Sequence, residues 1–137
     1  MTFGQMPPAN GFLEKKDFAN KYFYEMEVGF SDEVSLLQLN NFTPPKNIHT
    51  EKYPFYTSSS KFMENHFKNY ANWMMKDYLK NNSKLIEIGS NDGTLLKNFQ
   101  KTEIEFLGFE PSSKIANLAN IKKINTVNRF FEKQSAS

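Results

Sequence analysis

Glu87, Gly89, Ser90, Asn91, Asp92 and Gly93 all fall within the stretch LIEIGSNDGTLL (85 to 96), and a second acid, Glu110, stands 17 residues after Gly93. An apolar run that ends in a carboxylate, turns through glycine and polar residues and then resumes is the pattern of a strand passing into a helix. In a parallel α/β sheet, ligands lie outside the carboxyl ends of the strands, and this first turn is the usual contact. Gly89 is expected to let the chain turn sharply, and Gly93 to let the backbone approach a ligand with no Cβ in the way. Glu110, closing the next strand, could accept hydrogen bonds from the vicinal hydroxyls of a ribose. Glu87 could hold a cationic or amine-bearing part of the same ligand, and Asp92 could add polar contacts. A dinucleotide fingerprint G-x-G-x-x-G starting at Gly89 would need glycines at 91 and 94, where the chain has Asn91 and Thr94. A dinucleotide-dependent oxidoreductase is therefore disfavoured.

The elements that must position these residues follow from periodicity. KLIEIG (84 to 89) and IEFLGFE (104 to 110) read as strands, with TLLKNFQ (94 to 100) as a helix between them. SSKIANLAN (112 to 120) reads as a second helix and INTV (124 to 127) as a third strand. The order β-α-β-α-β predicts a parallel sheet with right-handed crossovers. Upstream, Met63, Phe67, Tyr70, Met74 and Tyr78 recur at three- and four-residue steps, with His66, Trp73 and Leu79 on the same side. This predicts an amphipathic helix over 60 to 80 with a Met and Trp stripe in the core, N-caps among Ser58, Ser59 and Ser60, and a stop at Asn81 and Asn82. Before it, Pro7, Pro8, Gly11, Gly29, Pro44 and Pro45 interrupt every long helix, leaving YFYEMEV (22 to 28) and SLLQL (35 to 39) as short strands. The expected organisation is a small irregular or β-rich module over 1 to 57 and an α/β unit over 58 to 137.

Composition narrows the classes of function. Aromatics make up 15% of the 137 residues, 14 of them Phe, which supplies a core and argues against wholesale disorder. The net charge of +2 is spread along the chain, and Arg129 is the one arginine among 17 basic residues. The planar fork that reads guanine or grips phosphate is thus nearly absent, and nucleic-acid binding is disfavoured. No run reaches the ~18 apolar residues of a membrane span, and the first ten residues lack the regions of a signal peptide, so no membrane association and a cytoplasmic location are expected. The chain has no Cys, which removes disulfides and thiolate chemistry. Lys122 and Lys123 read as a solvated face.

An acid-x-Gly-x-x-x-Gly turn followed by an acid at the end of the second strand resembles the cofactor site of class I S-adenosylmethionine-dependent methyltransferases. The wording EIGSNDGTLLKNF followed by GFEPSSKIANLA is similar to one branch of that family, the C-methyltransferases of nucleotide-activated keto-deoxysugars. MPPAN (6 to 10), SLLQL (35 to 39) and YPFYTSSSKFMENHFKNY (53 to 70) occur in the branch's order, so the resemblance covers nearly the whole chain. It implies a partial Rossmann-like sheet, S-adenosylmethionine as cofactor and a nucleotide-linked sugar as substrate. Glu87, Gly89, Ser90, Asn91, Asp92, Gly93 and Glu110 would form the cofactor side. A carbon acceptor must first lose a proton beside its carbonyl, which calls for a base and for donors to the enolate oxygen. Tyr53, Tyr56 and His66 are the candidates. The family's segment reads roughly Tyr-Pro-Tyr-Phe-Thr-Ser; Tyr53 matches it, while Phe55 and Tyr56 reverse the order of the next two aromatics.

Two departures accompany the resemblance. The family carries an N-terminal zinc module with paired cysteines; here Ser31 and Val34 occupy the second pair's positions, and the first pair would precede Phe3. Two isolated His, His49 and His66, cannot replace them, so no zinc is expected. The family's sheet also continues through further strands that carry catalytic residues, whereas this chain stops at Ser137 near its third strand. A truncated member is the expectation. A three-strand parallel sheet with an unpaired edge is expected to be marginally stable or self-associating. The competing readings are a non-catalytic cofactor-binding or interaction module and, less favoured, an oxidoreductase fragment.

Overall fold

Ser60 opens the longest helix, α2 (Lys61–Asp77): its hydroxyl accepts a hydrogen bond from the Met63 N–H at 3.3 Å, satisfying one orphan donor of the first turn. The computed structural model describes residues 1–10, 12–48 and 53–135. The chain forms two compact units, Met1–Tyr53 and Pro54–Ser137. Residues 54 to 57 belong with the second unit because Phe55 and Thr57 are hydrogen-bonded to Asn91 within it. His49 lies outside the described residues.

The first unit is an antiparallel meander of β1 (Thr2–Met6), β2 (Tyr24–Ser31) and β3 (Leu36–Leu39), with a short helix α1 (Pro45–Ile48). β2 and β3 were legible as short apolar runs; β1 carries Gly4 at φ 73 and an irregular register, which hides it from an alternation pattern. Ser31 ends β2 and Val34 lies in the turn that leads to β3. No described residue of this unit is buried, and Phe30, Leu37 and Phe42 are all more than half exposed.

The second unit contains the parallel sheet. β4 (Lys84–Ile88), β5 (Glu105–Phe109) and β6 (Thr126–Val127) pair in that order, all parallel, with α3 (Ser113–Ile121) between β5 and β6. The helix expected over 94 to 100 is instead a single 3-10 turn, Leu96–Phe99. The Asn98 side-chain amide donates to the Thr94 and Leu95 carbonyls at 3.1 and 2.9 Å, and the Asn98 N–H also closes on the Leu95 carbonyl at 3.1 Å, a three-residue bond in place of a continuing α-helix. Thr102 Oγ1 then donates to the Phe99 carbonyl and closes the segment.

Both connections contribute to one core, in which Leu95, Leu96, Phe99, Ala119 and Ile124 pack on the sheet face carrying Leu85 and Phe106. Right-handed crossovers that advance in one direction place their connections on one face of the sheet. On the opposite face Phe109 is buried against Phe131, their ring centroids 5.0 Å apart, while the β4 side stays uncovered, with Ile86 and Ile88 53% and 64% exposed.

α2 buries Ala71 and packs Phe67, Met74 and Met75 against that core, with Leu79 joining them just beyond its end. This corrects the expected inner face. His66, Tyr70 and Trp73 lie on the exposed side, Tyr70 and Trp73 being 40% and 45% exposed. The cause is the small Ala71, which draws its own stripe of the helix closest to the core, while the aromatics of the adjacent stripe stack on one another: His66 on Tyr70 at 6.5 Å and Tyr70 on Trp73 at 5.4 Å. The helix ends at Asp77, earlier than the asparagines suggest, with the Tyr78 and Leu79 N–H groups both donating to the Met74 carbonyl. Among the described residues no helix is long and apolar enough to cross a membrane.

Candidate functional site

The turn after β4 crosses the end of β5. The Gly89 and Ser90 N–H groups both donate to the Phe109 carbonyl, at 2.8 and 3.0 Å. Gly89, Asn91 and Gly93 have φ of 71, 50 and 76, so the chain reverses through three left-handed residues. The glycines do different work, and the expectation for Gly93 is corrected. A Cβ at Gly93 would stand 2.7 Å from Ile124 Cδ1, inside the core, so glycine is needed there for packing. Nothing lies within 4 Å of a Cβ built on Gly89, and that is where the backbone is open to a ligand.

Glu110 is 5% exposed and both its oxygens are engaged. Oε2 accepts from the Asn91 N–H at 3.1 Å and Oε1 from the Ser112 N–H at 2.8 Å, so the carboxylate braces the turn against the start of α3. A carboxylate offers about four lone-pair positions, and these two bonds leave acceptor capacity.

Glu87 lies on the covered face opposite Gly108. Its Oε2 is buried and has no hydrogen-bond partner among the described residues. Burial, with the Asp92 carboxylate adding to it, pushes the Glu87 carboxyl up from 4.5 to about 8. Asp92, itself buried, goes the other way. Burial opposes its ionisation, but hydrogen bonds from Ser58 and Thr94 and the charge of Lys122 outweigh it and hold the carboxyl below its ordinary value. Oδ1 accepts from Thr94 Oγ1 at 2.7 Å and Oδ2 from the Ser58 N–H at 3.2 Å, with Lys122 Nζ at 3.4 Å. Lys122 was read as solvated; it is half exposed and paired. Lys122→Ala is expected to destabilise the chain by no more than about 1 kcal/mol, because a pair open to water on one side is screened. Urea denaturation at neutral pH checks this, and a much larger loss would show that the pair is shielded.

Ser90 is 2% exposed, and its Oγ packs against Gly108, where a Cβ would come within 2.5 Å of it. Its N–H is taken by the Phe109 carbonyl, while its Oγ, like Glu87 Oε2, is buried with no hydrogen-bond partner among the described residues. Asn91 directs its side chain to the preceding segment: Oδ1 accepts from the Thr57 N–H at 2.9 Å and Nδ2 donates to the Phe55 carbonyl at 3.1 Å. These bonds bring Tyr56 to the turn, half-buried, with Lys114 Nζ 5.9 Å from its ring centroid, within cation–π reach. His66, on the exposed side of α2, is not part of this cluster. Tyr53 closes the first unit. Sequence reasoning missed Gly108, Ser58 and Thr94. Gly108 carried a signal, since a glycine inside a strand marks close approach of another chain segment; Ser58 acts through its backbone and carried none.

No family model matches this chain, and no curated protein is significantly similar to it.

What remains is the chemistry of the turn: an open glycine at the carboxyl end of a parallel strand, a half-buried carboxyl beside it whose Oε2 is buried and unpartnered among the described residues, and a second carboxylate with acceptor capacity at the end of the next strand.

Proposed function

We propose that the second unit binds S-adenosylmethionine at the Gly89 turn and that the chain is a methyltransferase acting on a carbon of a nucleotide-linked keto-deoxysugar. The observation that carries the cofactor reading is the buried, unpartnered Glu87 Oε2 beside a backbone that is open at Gly89. A buried carboxyl lacking a partner is costly when ionised, and a cationic group brought next to it reverses that cost. When bound, S-adenosylmethionine supplies an electrophilic methyl group on a sulfonium and also carries an ammonium and a ribose diol. Glu87 would pair with the cationic part, Glu110 would use its remaining lone pairs on the diol, and the backbone at Gly89 would pass close to the ligand. Ser90, Asn91 and Asp92 support the turn from behind. The acceptor class rests on the sequence resemblance, and Tyr56, held at the turn, is the candidate side chain that would stand between the cofactor and the acceptor.

Calorimetric titration with S-adenosylhomocysteine tests the site. Saturable binding is expected, weakened at least roughly tenfold in Gly89→Ala, where a Cβ enters the open space. That variant pays only the left-handed penalty of about 1 to 2 kcal/mol in stability, so it stays folded for the comparison. A folded chain that takes up no S-adenosylhomocysteine would refute the reading.

One observation favours a second reading, an interaction module. The outer edge of β4 has no strand partner among the described residues, and the β4 side of the sheet face, with Ile86 and Ile88, is open. Such an edge invites pairing with another chain. Self-association through it is expected to appear as concentration-dependent sedimentation, reduced by Ile86→Lys; a monomer throughout would exclude it.

A further inference from the structure

Two polar side chains of the turn, those of Asn91 and Asp92, hold residues 55 to 58. Tyr56 is extended, with φ −115 and ψ 121. In an extended chain the carbonyl before a residue and the N–H after it point to the same side, as on the edge of a strand. The Asn91 amide meets both, donating to the Phe55 carbonyl at 3.1 Å and accepting from the Thr57 N–H at 2.9 Å. One side chain thus acts as a rung of a β-ladder around Tyr56. Asp92 adds a further bond from the Ser58 N–H at 3.2 Å. Beyond it, the Ser59 N–H and hydroxyl both donate to the Tyr56 carbonyl, at 3.0 and 2.7 Å, and the strap runs into Ser60, the cap of α2.

Residue 91 has to satisfy two demands. Its φ of 50 is left-handed, which Gly, Asn and Asp tolerate best. Its side chain must both accept and donate, and of those three only Asn does so. Its own N–H is held by Glu110 Oε2 at 3.1 Å, so the carboxylate, the turn and the strap form one connected set. Lys114, from the first turn of α3, stands over the Tyr56 ring, its Nζ 5.9 Å from the centroid.

We propose that Asn91 and Asp92 are positioning residues that clamp residues 55 to 58 as a strap across the turn and so fix Tyr56 as one wall of the ligand site. The choice of ligand rests on the reading above; the clamp does not. Two arms on the full chain separate them. In the first, hydrogen exchange is followed at the Thr57 and Ser58 amides without ligand. Both are expected to be protected, with Thr57 losing protection roughly tenfold or more in Asn91→Ala and by less in Asn91→Asp, which keeps the acceptor and tolerates the left-handed φ but sets a carboxylate oxygen against the Phe55 carbonyl. Unprotected amides in the wild-type chain, or equal protection in all three, would overturn the clamp. In the second, S-adenosylhomocysteine affinity is measured for Asn91→Ala, Tyr56→Ala and the double variant. If Asn91 acts through Tyr56, each single change weakens binding and the double is no weaker than the worse single. Additive losses would mean that Asn91 meets the ligand directly and would overturn its positioning role. If the wild-type chain does not bind, the proposed function falls and the exchange arm alone decides the clamp.

Discussion

Gly93→Ala is expected to destabilise the chain by about 2 to 5 kcal/mol, the largest effect of any single methyl addition at the turn. Two costs combine. A residue with a Cβ at φ 76 pays about 1 to 2 kcal/mol for the left-handed conformation. The new methyl would also stand 2.7 and 2.8 Å from Ile124 Cδ1 and Cγ2, and forcing extra volume into a packed core typically costs ~1 to 3 kcal/mol. Ile124 is 1% exposed and packed among Leu96, Phe99 and Ala119, so it has little room to give way. Gly89→Ala supplies the control, because its φ of 71 is similar while nothing stands within 4 Å of the added Cβ. The difference between the two in urea denaturation isolates the clash from the backbone cost. Equal losses would show that Ile124 moves aside freely. Pairing Gly93→Ala with Ile124→Val, which removes Cδ1, is expected to recover part of the loss as a coupling energy.

Stability is also expected to fall as pH rises from about 4.5 to about 8, and Glu87→Gln to abolish that slope. The Glu87 carboxyl titrates near 8 in the folded chain against an ordinary 4.5. Between those values the folded chain keeps a proton that the unfolded chain has released, so raising pH favours unfolding. The stabilisation is fully present below about 4.5 and lost by the time pH passes about 8, a change on the order of 3 to 5 kcal/mol. Asp92 works in the opposite sense and in a lower window. Its depressed carboxyl stabilises the fold above the ordinary carboxylate range, and that contribution disappears as pH falls through its folded value. The two are therefore separable by denaturation across pH. Glu87→Gln leaves an uncharged amide in the same place, whose burial cost is constant with pH, so the slope rather than the absolute stability is the readout. A wild-type chain equally stable at pH 5 and pH 8 would show that Glu87 is hydrated in solution.

The strands β4 and β5, the helices α2 and α3 and the parallel order could all be read from the sequence, because each is a local pattern. KLIEI and EFLGF are short apolar runs, Ser60 caps a run with helical periodicity, and consecutive parallel strands require crossovers. The position of the turn was legible for the same reason: Gly89 follows directly on a strand-like run. Several things were decided only by contacts between segments distant in the chain. Which glycine is open to a ligand depended on Ile124, 31 residues from Gly93. Which stripe of α2 turns inward depended on how closely Ala71 could approach the core, since adjacent stripes of that helix are equally apolar in sequence. Whether Asn91, Asp92 and Glu110 face a ligand or the protein depended on where the backbone of residues 55 to 58 and 112 runs, and a backbone N–H leaves no mark on residue identity. Local sequence fixes which groups are present and how they are spaced; their partners are set by the tertiary fold, because hydrogen bonding and burial depend on distance in space rather than along the chain.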